Sequence, residues 1–310
     1  AFYLAEKGYK PTVFEKSKEP GGLLRYGIPS YKLEKNVVEA EIDVMRKMGV
    51  EIKTGVEVGK DISLTELRKQ GFKAFYIAIG CSVGKRPGIP NDDIDGTLTA
   101  IDYLYEANCG GKEYNGRVVV VGGGNVAIDA SRVSKRNGAS SVIQLCLESE
   151  KDMPASLEEQ TEAKEDGVEI KCGWGPKEVL SKDGKVQGIV FKKCLSVLNA
   201  EKRFDPKYDE NETITIECDR IIFAVGQASY WGDLLKDENV QFNGKAIKAD
   251  KITFQTDQKD IFVGGDVYTG PKFAIDAIAQ GKIAAESLHR YVHNGHMVTG
   301  RNRFEFKELD

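Results

Sequence analysis

The chain has 310 residues, 41% of them hydrophobic and 30% charged, with a formal net charge of −4. That length suits about two domains of ordinary globular composition, and the acidic balance excludes a basic surface for nucleic acid or anionic lipid. No apolar run is long enough to span a bilayer and no signal-peptide pattern opens the chain, so no membrane contact and a cytoplasmic location are expected.

Ala1 to Gly8 carries apolar residues at helical spacing and stops at glycine. Pro11–Lys16 reads as a short strand that ends in acid at Glu15. Helix, glycine, strand and acid together form the second half of a βαβ nucleotide unit, whose first strand and glycine loop are expected upstream of Ala1. A Gly-Pro loop from Glu19 to Pro29 holds Gly21-Gly22-Leu23, and Leu33–Met48 makes an amphipathic helix whose apolar face reads as core. Val50–Lys53 alternates as a strand. Ala74–Ile79 is a continuous apolar strand closed by Gly80, the pattern of a buried parallel strand. The turn-rich, acidic stretch Pro87–Gly96 marks a domain boundary.

A second unit then begins with Val118-Val119-Val120-Val121, followed by Gly122 to Ala127 and a helix that runs to Asn137-Gly138. Ser141–Leu147 is the next strand, with Glu148 at its end. Gly167–Cys172, Gly188–Lys193 and Thr213–Glu217 read as further strands around turns. Arg220–Gly226 is again a buried strand closing in Ala224-Val225-Gly226, an echo of Ala78-Ile79-Gly80 that suggests a duplicated architecture. Ile261–Asp266 leads through a Gly-Pro loop to a helix over Phe273–Val292. The remainder, His293 to Asp310, is polar and irregular, either a return strand or a linker.

The six cysteines (Cys81, Cys109, Cys146, Cys172, Cys194 and Cys218) are spread singly, which removes a C-x-x-C redox pair and any short-spaced zinc or iron–sulfur ligand set. They read as buried reduced thiols. The three histidines lie together in the C-terminal tail, so no metal site and no histidine-centred hydrolase is expected, and their side chains read as solvated.

The strongest chemical signal is Gly122-Gly123-Gly124-Asn125-Val126-Ala127, which fits G-x-G-x-x-A between a strand and a helix. The first glycine makes the tight turn, the second lets the backbone approach a pyrophosphate, and the small Ala127 permits close helix–strand packing. Phosphate would meet free N–H groups at the helix N-terminus. Glu148 stands about 20 residues further on, where an acid accepts hydrogen bonds from the adenosine ribose hydroxyls. With no arginine in Leu145–Ser149, NADH is favoured over NADPH. Glu15 holds the matching place in the first unit, and Gly265-Asp266 offers a carboxylate suited to the hydroxyls of a ribityl chain.

Taken as a set, these residues resemble the two-dinucleotide-domain flavoproteins, in particular the glutamate synthase small subunit and the flavin segment of dihydropyrimidine dehydrogenase. The resemblance rests on Gly21-Gly22-Leu23-Leu24-Arg25-Tyr26-Gly27-Ile28-Pro29, Val120–Asp129, Met153-Pro154-Ala155, Ala224-Val225-Gly226, Gly264-Gly265-Asp266 and Ala277–Lys282. It implies an α/β fold with two Rossmann-like dinucleotide-binding domains, the NAD(P) domain inserted into the FAD domain. Residues 1–98 and 250–310 would form the FAD-binding domain and 99–249 the NAD(P)H-binding domain. By motif, Glu15, Gly21, Gly22, Leu23, Lys32, Val58, Gly265 and Asp266 would contact FAD, with Gly80 counted among the cofactor-binding candidates. Gly123, Gly124, Asn125, Val126, Ala224, Val225 and Gly226 would contact the nicotinamide cofactor, together with Gly122 and Glu148.

Such an enzyme passes hydride from nicotinamide to flavin and needs no side-chain nucleophile or acid–base pair. Its electrons would go to a partner subunit or domain, of the amidotransferase large-subunit type or an iron–sulfur carrier. Two departures stand out. The FAD-side glycine fingerprint is not found in this sequence and is expected upstream of Ala1, as is any cysteine-rich segment with iron–sulfur clusters. The arginines usual in this family after the Ser141–Leu147 strand are replaced by Leu147 and Glu148. The competing readings are a dinucleotide-binding module that holds no flavin, and a ferredoxin-linked electron-transfer subunit.

Overall fold

A computed structural model describes residues 1–111, 113–244 and 246–301. The chain divides into two compact units: Ala1–Gly22, Asn36–Ser82 and Ala228–Asp310 in the first, Leu23–Lys35 and Val83–Gln227 in the second. One unit is thus inserted into the other. The chain crosses between the units at 22/23, 35/36, 82/83 and 227/228, against the expected 98/99 and 249/250. Thr97–Thr99 goes with the second unit because it is an edge strand there, paired in parallel with Arg220–Phe223.

In the first unit Thr12–Glu15 pairs in parallel with Glu51–Thr54, and Ile261–Val263 pairs in parallel with Phe75–Ile77. These are two separate two-stranded sheets among the described residues. The core gathers Ile77, Ile261 and Val263 from the second sheet with Leu64 and Leu67 from the Leu64–Lys69 helix. Ser63 starts that helix by accepting a hydrogen bond from the Glu66 N–H at 3.1 Å. Arg68 at its far end holds Glu238 through two N–H groups, at 2.7 and 2.8 Å, and Asp260 at 2.6 Å. The helix expected over Leu33–Met48 runs from Lys35 to Lys47 and buries Val38 and Ile42, so its apolar face is core. Ala274–Val292 forms the long C-terminal helix. Residues 293–301 make turns, with no strand among them, and the remaining part of the tail considered as a return strand lies outside the described residues.

The second unit is built on a five-stranded parallel sheet in the order Thr97–Thr99, Arg220–Phe223, Arg117–Val121, Ser141–Cys146, Glu169–Cys172. Its central strand is the valine run, and Val118 to Val121 are all buried, as a strand covered on both faces requires. One face packs on Ala127, Ile128 and Ala130 of the Asn125–Arg136 helix and on Leu104 of the Ala100–Asn108 helix. The other face packs on Val179, Ile189 and Phe191 of an antiparallel three-stranded sheet. That sheet (Trp174–Lys182, Lys185–Leu198 and Phe204–Glu217) corrects the expected short strands. Lys185–Leu198 and Phe204–Glu217 are 14 residues each, and Trp174–Lys182 carries no clean alternation that would mark it in sequence.

Candidate dinucleotide site

The glycine loop lies at the C-terminal end of the central strand of the second unit. Gly122 turns the chain at φ +145, and a Cβ there would meet the Ala224 carbonyl oxygen at 2.5 Å. Only glycine permits this approach of the Ala224–Gly226 segment. Ala224 N–H in turn donates to the Val121 carbonyl at 2.8 Å, and the Gly226 carbonyl accepts from Lys85 N–H at 2.9 Å. Gly123 has no room either, since a Cβ would meet a Glu148 carboxylate oxygen at 2.8 Å and the Cys146 Cβ at 3.0 Å. Gly124 differs: nothing lies within 4 Å of its Cβ position. It caps the Asn125–Arg136 helix without a side-chain hydrogen bond. The first turn of that helix holds no acidic residue and takes no side-chain cap from Gly124, which leaves its backbone N–H groups for a ligand.

Glu148 thus stands over the glycine loop, as the spacing predicts. Its main chain is fixed there, because the Glu148 carbonyl accepts from Gly173 N–H at 2.8 Å and from the Cys146 thiol at 3.7 Å. Gly122, Gly123, Gly124, Asn125, Val126, Glu148, Ala224, Val225 and Gly226 all belong to this one unit.

Several residues that brace the loop were not singled out from sequence. Gln144, fully buried, donates from Nε2 to the Gly122 carbonyl at 3.0 Å and accepts from the Ser131 hydroxyl at 2.9 Å. A glutamine inside an otherwise apolar strand was the available signal, since a buried amide is retained where it has partners. Ala155 N–H donates to the Gly123 carbonyl at 2.9 Å, and the Ser156 N–H donates to the Asn125 side chain at 3.1 Å. Met153-Pro154-Ala155, prominent in the resemblance, thereby clamps the loop from outside. Lys32 lies in this unit as well, paired with Asp129 and Glu159. Burial pushes the Asp129 carboxyl above the usual carboxylate range, and Lys32 opposes that rise. The Lys32 ammonium is therefore committed to carboxylates of the second unit, and Leu23 also lies in that unit.

The first unit holds Glu15, Gly21, Gly22, Val58, Gly80, Gly265 and Asp266. Glu15 ends its strand and accepts from Ser17 N–H at 2.7 Å. Gly22 has φ +52 and open space where a side chain would be. Val58 packs beside the core and bridges to Ile62, and Gly80 takes φ +63 just beyond the Phe75–Ile77 strand. A Cβ on Gly264 would strike the Tyr76 hydroxyl at 2.2 Å, and Gly265 N–H donates to the Gln280 side chain at 2.8 Å. Asp266 opens a short helix and accepts from Lys272 N–H at 3.1 Å, while burial raises its pKa. A strand-end carboxylate such as Glu15 can accept from ribose hydroxyls, and the open space at Gly22 lets a ligand approach the backbone.

The cysteines are less uniform than expected. Cys81, Cys146, Cys194 and Cys218 are buried, Cys172 is half-buried and Cys109 is exposed. Of the tail histidines, His293 and His296 are exposed, but His289 is half-buried and its Nδ1 lies 2.7 Å from the Tyr9 hydroxyl.

A family profile described as pyridine nucleotide-disulphide oxidoreductase matches residues 1–281. The chain belongs to this family. It is 32% identical to the glutamate synthase [NADPH] small chain of Halomonas elongata, over 93% of this chain and 64% of that protein. It is also 32% identical to the NADP(+)-dependent formate dehydrogenase subunit beta of Moorella thermoacetica, over 95% of this chain and 42% of that protein. A third relative is the NAD-dependent dihydropyrimidine dehydrogenase subunit PreT of Escherichia coli O157:H7, 33% identical over 93% of this chain and 64% of that protein. The chain thus spans less than two thirds of the length of these relatives. Among solved structures, FprA of Mycobacterium tuberculosis in complex with NADPH has a TM-score of 0.79 at 16% identity, covering 94% of this chain and 82% of that one. Thioredoxin reductase of T. acidophilum has a TM-score of 0.70 at 20% identity, covering 95% and 93%. These likenesses show the fold, a mixed α/β architecture with two dinucleotide-binding domains.

Proposed function

We propose that this chain is the FAD-dependent, NADH-oxidising unit of a larger electron-transfer enzyme, with FAD on the first unit and the nicotinamide cofactor on the second. Family membership supports the general class of NAD(P)H oxidoreductase. The observation that carries the finer reading is the Glu148 carboxylate, 2.8 Å from the Cβ position of Gly123. There it would accept hydrogen bonds from the adenosine ribose hydroxyls and repel a 2′-phosphate. Two of the three relatives named above carry NADP in their names and the third carries NAD, so the preference proposed here rests on Glu148 alone.

In this reading the first-turn N–H groups of the Asn125–Arg136 helix bind the pyrophosphate, and Gly122 to Gly124 let it approach. Gln144 and Ala155 hold the loop open by occupying its carbonyls. Ala224 to Gly226 line the nicotinamide end. In the first unit Glu15 takes the FAD ribose, Gly21 and Gly22 allow its backbone approach, and Asp266 takes the ribityl hydroxyls. When bound, the nicotinamide supplies hydride and the flavin accepts it and releases electrons singly. The electrons leave for a partner subunit or domain, an amidotransferase-type large subunit or an iron–sulfur carrier. Steady-state oxidation of NADH by the FAD-loaded chain with a dye acceptor tests the reading. Turnover is expected, and a chain that takes up FAD without turning over refutes it.

A further inference from the structure

Two cysteines that stand 26 positions apart in sequence meet beside the glycine loop. Cys146 ends one parallel strand, Cys172 ends the next, and the two are direct partners in the register. Their sulfurs are 3.6 Å apart. Adjacent strands are separated by about 4.8 Å, inside the Cα range of about 4.4–6.8 Å that a disulfide spans. A side-chain rotation can therefore close the bond without moving either strand far. Cys172 is half-buried and opens on a cavity of about 110 Å³ that is also lined by Glu150, Gln160, Lys164 and Ile170. That volume admits a molecule the size of hydrogen peroxide. Cys146 is buried behind it, and burial pushes its thiol up, which leaves Cys172 as the sulfur an oxidant reaches first.

Cys146 also supports Glu148. Its thiol donates to the Glu148 carbonyl, and its Cβ lies 3.0 Å from the Cβ position of Gly123. Gly173, next after Cys172, donates to the same Glu148 carbonyl. Cys146 and the neighbour of Cys172 thus both hold the main chain of Glu148, whose carboxylate is assigned to the ribose.

We infer that Cys146 and Cys172 form a peroxide-responsive dithiol whose oxidation to a disulfide loosens dinucleotide binding at the glycine loop. The Cys172 thiolate attacks one oxygen of hydrogen peroxide, the O–O bond breaks, and a sulfenic acid and water result. The Cys146 sulfur then attacks Cys172, the S–O bond breaks, and a second water leaves. Two thiols lose their hydrogens and peroxide is reduced by two electrons. On forming the disulfide, Cys146 gives up its hydrogen bond to the Glu148 carbonyl, and the carboxylate shifts against Gly123. This inference rests on the assignment of Glu148 and the glycine loop to the nicotinamide cofactor.

The test treats the full chain with hydrogen peroxide, maps disulfides by non-reducing mass spectrometry, and measures NADH binding before and after. A Cys146–Cys172 link is expected, with affinity weakened about tenfold, the loss of one charge-assisted hydrogen bond. Dithiothreitol restores it. Cys172→Ser should bind NADH as the reduced chain does and ignore peroxide, and a Cys109→Ser background removes the exposed thiol from the count. Peroxide that modifies Cys109 yet leaves Cys146 and Cys172 unlinked overturns the inference, as does a link that leaves the affinity unchanged. If the reduced chain binds no NADH, the functional reading fails along with the binding half, and the peptide map still decides whether the dithiol closes.

Discussion

Replacing Glu148 by glutamine removes one charge from the glycine loop and leaves its main chain in place, since Gly173 N–H still holds the Glu148 carbonyl. A 2′-phosphate brought to about 4 Å from the native carboxylate is repelled by about 1 kcal/mol per charge pair at the dielectric of water and about 4 kcal/mol at an effective ε near 20. Glu148 is half-buried, so the value lies between these limits. Glu148→Gln should therefore tighten NADPH binding by between about fivefold and several hundredfold. The same change weakens a charge-assisted bond to the ribose, worth about 1.5–3 kcal/mol, and should cost NADH about tenfold or more. Calorimetric titration of both nucleotides into native and variant chains reads the ratio of dissociation constants directly. A native chain that prefers NADPH, or a ratio that the substitution does not move, refutes the electrostatic argument.

Gln144→Leu leaves the Gly122 carbonyl and the Ser131 hydroxyl without their buried partner. That should cost about 2–4 kcal/mol and lower the melting temperature measured by calorimetry. Gly122→Ala forces a Cβ to within 2.5 Å of the Ala224 carbonyl at φ +145, so dinucleotide binding by titration should be lost and thermal stability reduced. In the first unit, Lys7 and Arg290 hold the Glu286 carboxyl down at about 2. A carboxylate depressed in the folded state stabilises fully above its unfolded value of about 4.3 and loses that contribution as pH falls toward the folded value. Denaturant midpoints of Glu286→Gln should accordingly converge on those of the native chain between about pH 5 and pH 2.

Local sequence was a good guide where one strand and its turn carry the chemistry. The valine run, Gly122 to Ala127 and Glu148 form one continuous segment of βαβ logic, and the fold keeps them together. Long-range placement was less accessible. Lys32 sits in sequence near Gly21 and Gly22, yet its ammonium goes to Asp129 and Glu159, because two carboxylates on one side outweigh proximity along the chain. Gln144 hides in an apolar strand, where periodicity counts it as an interruption, although its partners make it a brace. The long antiparallel strands Lys185–Leu198 and Phe204–Glu217 are polar along much of their length, so only their apolar inner portions read as strands. The Cys146–Cys172 pair is set by strand register, which spacing in the sequence does not reveal.

The central claim is that both dinucleotides work on this one polypeptide. The most direct measurement follows the flavin absorption band of the FAD-loaded chain while NADH is added in the absence of oxygen. Bleaching of one flavin per chain by stoichiometric NADH, with a much weaker response to NADPH, is the predicted result. A chain that takes up FAD and keeps its full flavin absorbance in excess NADH and NADPH contradicts the account.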